Sequence, residues 1–254
     1  MAGMMLHQDA SRHAWVPGQP AWDLVVTLDD ATGAILSAVL VAEEGTASSL
    51  RGFMEVFAAH GLPCSVYTDR GSHYFWTPQA GGPVHRGAVT QVGRALARLG
   101  VAHIAAYSPQ ARGRSERAFR TLQDRLPKEL ALAGITEVDA VNAWLRREYV
   151  PRHNARFAVE PEQEGTAFTP VAASDLAEAL CWEEERQVGR DNTVVLDGVR
   201  LQIPPSPLRA HYVRASVKVR RYLDGGHAIF HGPRCLGRYD ATGAEQVDRA
   251  TAAA

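Results

Sequence analysis

The sequence predicts an α/β core followed by a small all-β unit, and three observations predict it. Up to residue 157, short apolar strand-like runs alternate with stretches whose apolar residues recur at helical spacing. After Asn192 the pattern changes to period two, broken by tight turns. The chain has 254 residues, 46% hydrophobic and 22% charged, enough to bury a full core in one large domain or two ordinary ones.

In order, Met4 to Asp9 is a short apolar lead, and Trp22 to Thr27 a strand. Asp29 to Gly33 is a turn, and Ala34 to Val41 a second strand, which together make a hairpin. Thr46 suits an N-cap. Leu50, Phe53, Met54 and Phe57 then mark one helix face, and Gly61 stops it. A strand over 65–68 precedes a Gly/Pro-rich loop at 77–88. Val92, Ala95, Leu96 and Leu99 mark a helix closed by Gly100. A strand follows over 101–107, then a flexible loop to Gly113. The next helix, from Arg114, carries Glu116 in its first turn and buries Phe119, Leu122 and Leu126. Thr136 opens a further helix with Val138, Val141, Leu145 and Tyr149 on its apolar face, ending at Asn154-Ala155-Arg156-Phe157.

Residues 158–190 predict an acidic linker holding a short helix, Ala172 to Leu180. Strands are expected over 193–196, 199–203, 216–223 and 228–231, giving a small β-barrel across 191–240. Residues 241–254 are expected to be a frayed tail.

No apolar run approaches 18 residues and no secretory apolar segment opens the chain, so a cytoplasmic protein without a membrane span is expected. Cys64, Cys181 and Cys235 are scattered, which argues for buried thiols and against a disulfide framework or a zinc site. The formal net charge of −1 hides strong local excesses. Arg112 to Lys128 carries +4, Arg209 to Arg238 carries +6, and Glu160 to Asp191 carries −7. Local patches, more than the total, govern contact with a polyanion.

Two short segments each place a carboxylate just beyond an apolar run. One is Thr68-Asp69-Arg70-Gly71-Ser72; the other is Ser108-Pro109-Gln110-Ala111-Arg112-Gly113-Arg114-Ser115-Glu116. Acids from separate elements, set among arginines, suit a divalent-metal site acting on phosphates. The segments resemble TD-x-G-S and [SN]PQ-x-x-G-x-x-E of the DDE transposases and retroviral-type integrases. His7-Gln8-Asp9-Ala10-Ser11 resembles their first-strand signature Q-x-D-x-[ST], which makes Asp9 the third acid. Asp29 or Asp30 is the rival first ligand, although Asp also favours turns for its own backbone bonds. The resemblance is to insertion-sequence transposases, ISNCY-like or similar. The interval of 47 positions from Asp69 to Glu116 is longer than usual and is accounted for by the 77–88 insertion.

The resemblance implies a ribonuclease-H-like fold with a mixed five-stranded sheet over 1–157. It also implies metal-dependent DNA cleavage and strand transfer. Asp9, Asp69 and Glu116 would hold two Mg²⁺ or Mn²⁺ ions, and the enzyme would be a homo-oligomer acting on element ends and target DNA. Gln110, Arg112, Arg114 and Arg120 are candidate phosphate contacts near the site, and Arg214, Lys218, Arg220 and Arg221 candidates in the second unit. His73 and Tyr74 either line the DNA end or pack. Members of the family carry a helix-turn-helix region before the core, whereas only eight residues precede Asp9. A truncated or split transposase is therefore expected. Its competitors are a ribonuclease-H-like nuclease and a non-catalytic DNA-binding remnant.

Overall fold

A computed structural model describes residues 1–78, 84, 85, 87–107 and 113–246. The chain divides into two compact units, Met1–Leu180 and Cys181–Ala254. Among the described residues no helix is long and apolar enough to cross a membrane.

The first unit is built on a five-stranded mixed sheet ordered β3-β2-β1-β4-β5. Its strands are β1 (Met5–His13), β2 (Trp22–Asp29), β3 (Ile35–Val41), β4 (Ser65–Thr68) and β5 (Ala102–Ala105). β1, β2 and β3 pair antiparallel, whereas β1, β4 and β5 run parallel. The near-continuous burial of β2 shows why its run WDLVVTLD does not alternate: both faces are covered. On one face lies α1 (Thr46–His60), which buries Leu50, Phe53, Val56 and Phe57. Val56 takes the place that the helical pattern gave to Met54. At the α1 N-terminus, Ser48 Oγ, not Thr46, accepts the N–H of the capping Gly45 at 3.0 Å.

α2 (Gln91–Arg98) precedes β5, and α3 (Gly113–Ala133) follows it. On the other face of the sheet, α3 sends Phe119, Leu122, Leu126 and Leu130 into a core with Trp15, Leu24, Val26, Leu28 and Leu40. The single helix expected from Thr136 is instead α4 (Val138–Trp144), a π-helical turn (Leu145–Tyr149) and α5 (Val150–Phe157). Pro151 explains the break. It has no N–H to give to the carbonyl four residues back, and its ring crowds that carbonyl. The turn widens, and the Val150 N–H reaches Leu145 O.

Two asparagines guard the outer edge of β3. Asn142 Nδ2 donates to Leu40 O at 2.9 Å while its Oδ1 accepts Leu40 N–H at 2.7 Å. Asn154 does the same to Ile35, at 2.8 and 2.9 Å. These amides stand where a sixth strand would otherwise pair, and so close an exposed edge. Residues 158–180 are not a free linker. Leu62 and Thr169 exchange backbone hydrogen bonds of 2.8 and 2.9 Å, and α6 (Ala173–Ala179) buries Leu176 and Ala179. A Cβ on Gly61 would meet Thr169 O at 2.5 Å, so this close approach needs glycine.

The second unit holds a four-stranded antiparallel sheet ordered β11-β10-β9-β6 and a two-stranded hairpin, β7-β8. The strands are β6 (Trp182–Gln187), β7 (Thr193–Leu196), β8 (Val199–Gln202), β9 (Ser216–Arg221), β10 (His227–His231) and β11 (Arg234–Tyr239). Val194, Leu201, Val217, Val219, Ile229 and Tyr239 share one core. Asp197 and Gly198, at φ of 48° and 82°, make the tight β7-β8 turn anticipated from Asp-Gly.

The sequence pattern misses β6 and β11, and both are edges. β6 reads as acidic linker because its Glu183, Glu184 and Glu185 lie opposite the basic strand β9. Lys218 Nζ and Arg220 Nε bond the two Glu183 oxygens at 2.7 and 2.8 Å. Burial alone would raise the Glu183 carboxyl, but these two cations outweigh it and bring it down to about 2. The tail also differs from expectation as far as residue 246. Gln246 N–H bonds Arg238 O at 2.7 Å, and Asp240 caps the intervening turn. Residues 247–254 lie outside the described residues. Cys64 and Cys235 are exposed and only Cys181 is buried, which corrects the expectation of three buried thiols.

Asn142→Ala strands the edge N–H and C=O of Leu40 in a buried place. It should cost about 2–4 kcal/mol, measured as a lower urea midpoint with an unchanged m-value.

Candidate active site

The register of the sheet sets the site. Gln8 pairs with Thr68 across parallel strands β1 and β4, about 4.8 Å apart, and Asp9 and Asp69 are the residues that follow each partner in sequence. Asp69 begins a turn in which its Oδ1 accepts the Gly71 N–H at 2.8 Å. Asp9 Oδ1 accepts the Ala10 N–H at 3.0 Å. From α3, Gln123 Nε2 donates to Ser11 Oγ at 2.9 Å and fastens the helix beside β1. Glu116, Arg120 and Gln123 are spaced i, i+4, i+7, one helix face.

One open cleft of about 530 Å³ collects these groups, lined by Asp9, Ser11, Glu44, Asp69, Glu116 and Arg120, with Gln123 at its side. The three acids singled out in the sequence therefore come from three elements to one place. Among the described residues no three His, Cys, Asp or Glu side chains stand close enough to hold one ion in common. The donor chemistry nonetheless suits a hard cation, since carboxylate oxygens face a shared space.

Asp29 and Asp30 do not line this cleft. Asp29, 1% exposed, accepts Gly3 N–H, Thr32 N–H and Thr32 Oγ1–H at 2.8–2.9 Å. It is the turn's own anchor. Asp30 lies 2.8 Å from His7 Nε2. Asp29 pairs opposite Leu6, three residues along β1 from Asp9.

Sequence reasoning missed Glu44 and Gln123. Gln123 was discoverable from its helical spacing to Glu116. Glu44 follows β3 in a Glu-Glu-Gly turn, which in sequence looks like solvated charge. Its Oε1 lies 3.4 Å from both the Tyr74 hydroxyl and His73 Nε2. Behind the cleft, the Tyr74 hydroxyl donates to Gln8 Oε1 at 2.9 Å and accepts from Ser49 Oγ at 3.1 Å. Gln8 Nε2 donates to Thr27 Oγ1 at 2.9 Å. A Cβ on Gly52 would sit 2.7 Å from Gln8 Nε2, so α1 must pass this network without a side chain. Burial raises the Tyr74 hydroxyl well above its ordinary pKa, and the charges of Glu44, Asp69 and Asp9 raise it further. The phenol stays protonated behind a cleft of negative potential. Tyr74 and His73 thus support the cleft wall, Tyr74 fully within the core.

Arg120 is exposed at the cleft. Gln110 and Arg112 lie outside the described residues, as does the Arg114 side chain. In the second unit Arg214 is exposed, Lys218 is engaged by Glu183, and Arg221 pairs with Asp197 at 2.7 Å over the Trp182 ring. Arg220 departs from the expected DNA contact. It is 8% exposed, paired with Glu183 and stacked 4.0 Å over Phe230, because a guanidinium can serve the core when an acid and an aromatic face meet it.

The chain is 34% identical over 227 residues to the protein named "Putative transposase y4bF" of Sinorhizobium fredii, covering 88% of this chain and 49% of that protein. It is 33% identical over 156 residues to "Transposase for insertion sequence IS1202" of Streptococcus pneumoniae, covering 61% of this chain and 33% of that one. Both relatives are named as transposases, and the chain is similar to them over the matched stretches. It spans about half the length of the first of these relatives and a third of the second. No protein-family model matches it. Among solved structures, this transposase relative is similar to the HTLV-2 integrase catalytic core domain in complex with magnesium, at 16% identity and a TM-score of 0.42. That match covers 58% of this chain and 88% of that domain. A simian T-cell lymphotropic virus intasome chain matches at 13% identity and a TM-score of 0.46, over 98% and 80%.

His103 gives the site region a pH signature. Burial, then the neighbouring His73 charge, lowers its pKa from 6.5 to about 4. The folded state therefore holds it neutral while the unfolded chain takes up a proton below 6.5. Stability is full above pH 6.5 and falls between 6.5 and 4, by up to about 3 kcal/mol. In denaturation across that window, His103→Gln should flatten the decline.

Proposed function

We propose that this chain is the catalytic portion of a DDE-type transposase of the integrase superfamily. On this reading it cleaves DNA at element ends and joins the ends to target DNA, in the cytoplasm and as a homo-oligomer. The observation that carries the reading is the meeting of Asp9, Asp69 and Glu116 in one cleft of a chain related to transposases. The strand order β3-β2-β1-β4-β5, three antiparallel and then parallel, supports a ribonuclease-H-like core lying within 1–157. The antiparallel second unit is read as a small barrel-like module that contacts DNA, with Arg214 and Lys218 the exposed basic candidates, Lys218 also paired with Glu183.

Asp9, Asp69 and Glu116 are the groups to hold two Mg²⁺ or Mn²⁺ ions. When bound, such ions lower the pKa of an attacking water or 3′-hydroxyl and neutralise the leaving oxygen in displacement at phosphorus. The protein's own work is positioning. The β1-β4 register sets the two aspartates side by side, and the Gln123–Ser11 bond fixes the α3 face bearing Glu116. Arg120, one turn beyond Glu116, is the candidate to take a DNA phosphate beside the reacting one, and Gln110, Arg112 and Arg114, just before Glu116 in the sequence, are the further candidates. Glu44 adds negative charge to the cleft from behind β3.

The test is Mg²⁺- and Mn²⁺-dependent cleavage and strand transfer on short duplexes, with wild type against Asp69→Asn and Glu116→Gln. Each variant should lose about 10³-fold or more of the rate, the worth of several kcal/mol of transition-state charge stabilisation. Circular dichroism should be unchanged. A folded Glu116→Gln protein that still cleaves DNA overturns the assignment.

A further inference from the structure

A second cavity, of about 210 Å³, opens between α3 and α5, lined by Arg125, Glu129, Tyr149, Arg152, His153 and Arg156 beside the Phe157 ring. Glu116 lies nine residues before Arg125 on α3, about 13 Å along the helix, so this cavity is separate from the acidic cleft. Its charge is opposite. Glu129 is shared by Arg125 and Arg152, each at 3.0 Å. Arg156 rests over the Phe157 ring at 5.4 Å and has no acid partner among the described residues. Three guanidinium groups against one carboxylate leave an excess of two positive charges.

The cavity floor is polar and unsatisfied. Tyr149, 2% exposed, and His153, 8% exposed, bury a hydroxyl and an Nδ1 that have no hydrogen-bond partner among the described residues. Arg125 lies close to the hydroxyl, but not in hydrogen-bond geometry. Buried polar groups are nearly always bonded, so two orphans bordering one basic cavity point to a missing ligand. Burial drives the Tyr149 hydroxyl up to about 12 and, together with the Arg125 charge, holds His153 below its ordinary range. At neutral pH the floor therefore offers an O–H and a neutral imidazole.

The sequence builds this cavity deliberately enough to trace. Pro151 forces the π turn that ends at Tyr149, and such turns are frequent at functional sites. Tyr149, His153 and Phe157 then follow at i, i+4, i+8 with neighbouring rings 5.8 and 4.7 Å apart, while Arg152 and Arg156 take the adjacent face. Asn154, between them, is spent on the β3 edge.

We propose that this cavity binds a phosphate group, with Arg152 and Arg156 as its cationic wall and Tyr149 and His153 as its floor. Donors converging from several directions suit a tetrahedral oxyanion better than a planar carboxylate. The phosphate is either a DNA phosphodiester, a source that rests on the function proposed above, or inorganic phosphate.

The experiment uses the full chain in two arms. In the first, inorganic phosphate is titrated at constant ionic strength set by chloride, and the thermal midpoint is followed. Wild type should be stabilised by phosphate. Arg156→Ala and Tyr149→Phe should need at least about 10-fold more phosphate for the same shift, the loss of one charged hydrogen bond. Tyr149→Phe keeps the ring and its packing, so it guards against a variant that merely unfolds. In the second arm, binding of a labelled duplex is measured against salt without divalent ions. A log-log salt slope smaller by about one in Arg156→Ala assigns the site to DNA. An unchanged slope with a lost phosphate response assigns it to free phosphate. No phosphate response in wild type, or equal responses in wild type and both variants, overturns the site. Neither arm needs Asp69 or a metal, so a chain that never cleaves DNA can still pass.

Discussion

The parallel pairing of β1 with β4 is the constraint on which the rest depends. A one-residue slip between these strands would turn one aspartate to the opposite face of the sheet. The register is held from behind by Gln8, whose amide is committed to Thr27 on β2, Ser49 on α1 and Tyr74 after the Asp69 turn. Every group in that network is buried, so a slip would break several bonds in a place water cannot repair. The same strand continues to Ser11, where Gln123 ties down α3. Asp9, a proposed metal ligand, thus sits between two residues that hold the frame.

Charge is arranged differently in the two units. In the first, acids gather at the cleft while arginines gather beside α5, and these opposed potentials lie along the same helix, α3. In the second, the basic strand β9 lies directly against the acidic strand β6, and its strongest pair is satisfied internally at Glu183. Part of the sequence excesses of +6 and −7 is one structural feature, since Lys218 and Arg220 of the first segment meet Glu183 of the second. A segment's net charge predicts a surface only when its neighbours in space are known.

Much of the core was legible because its signals are local. The period of apolar residues marks α1, α2 and α3, and Asp-Gly marks the β7-β8 turn. The three acids stand out through motif order, and Asp29 proves to be a turn anchor, as its residue type allows. What was not legible depends on long-range pairing. β6 and β11 are edge strands whose polar sequences make sense only beside β9 and β10. The burial of Arg220 needs Glu183 from 37 positions away. Glu44 joins the cleft only because β3 and the Asp69 turn end near each other. Pro151 was visible, but the π turn that it forces, and the pocket that the turn shapes, require the folded context of α3.

The claim that three carboxylates from β1, β4 and α3 form one cation site is tested most directly by calorimetric titration of Mn²⁺ into the full chain without DNA. The account predicts binding that weakens by about 10-fold or more in each of Asp9→Asn, Asp69→Asn and Glu116→Gln, as for removal of a ligand carboxylate. Asp30→Asn should bind as wild type does. Mn²⁺ affinity that is untouched by the three substitutions, or that is lost in Asp30→Asn, would contradict it.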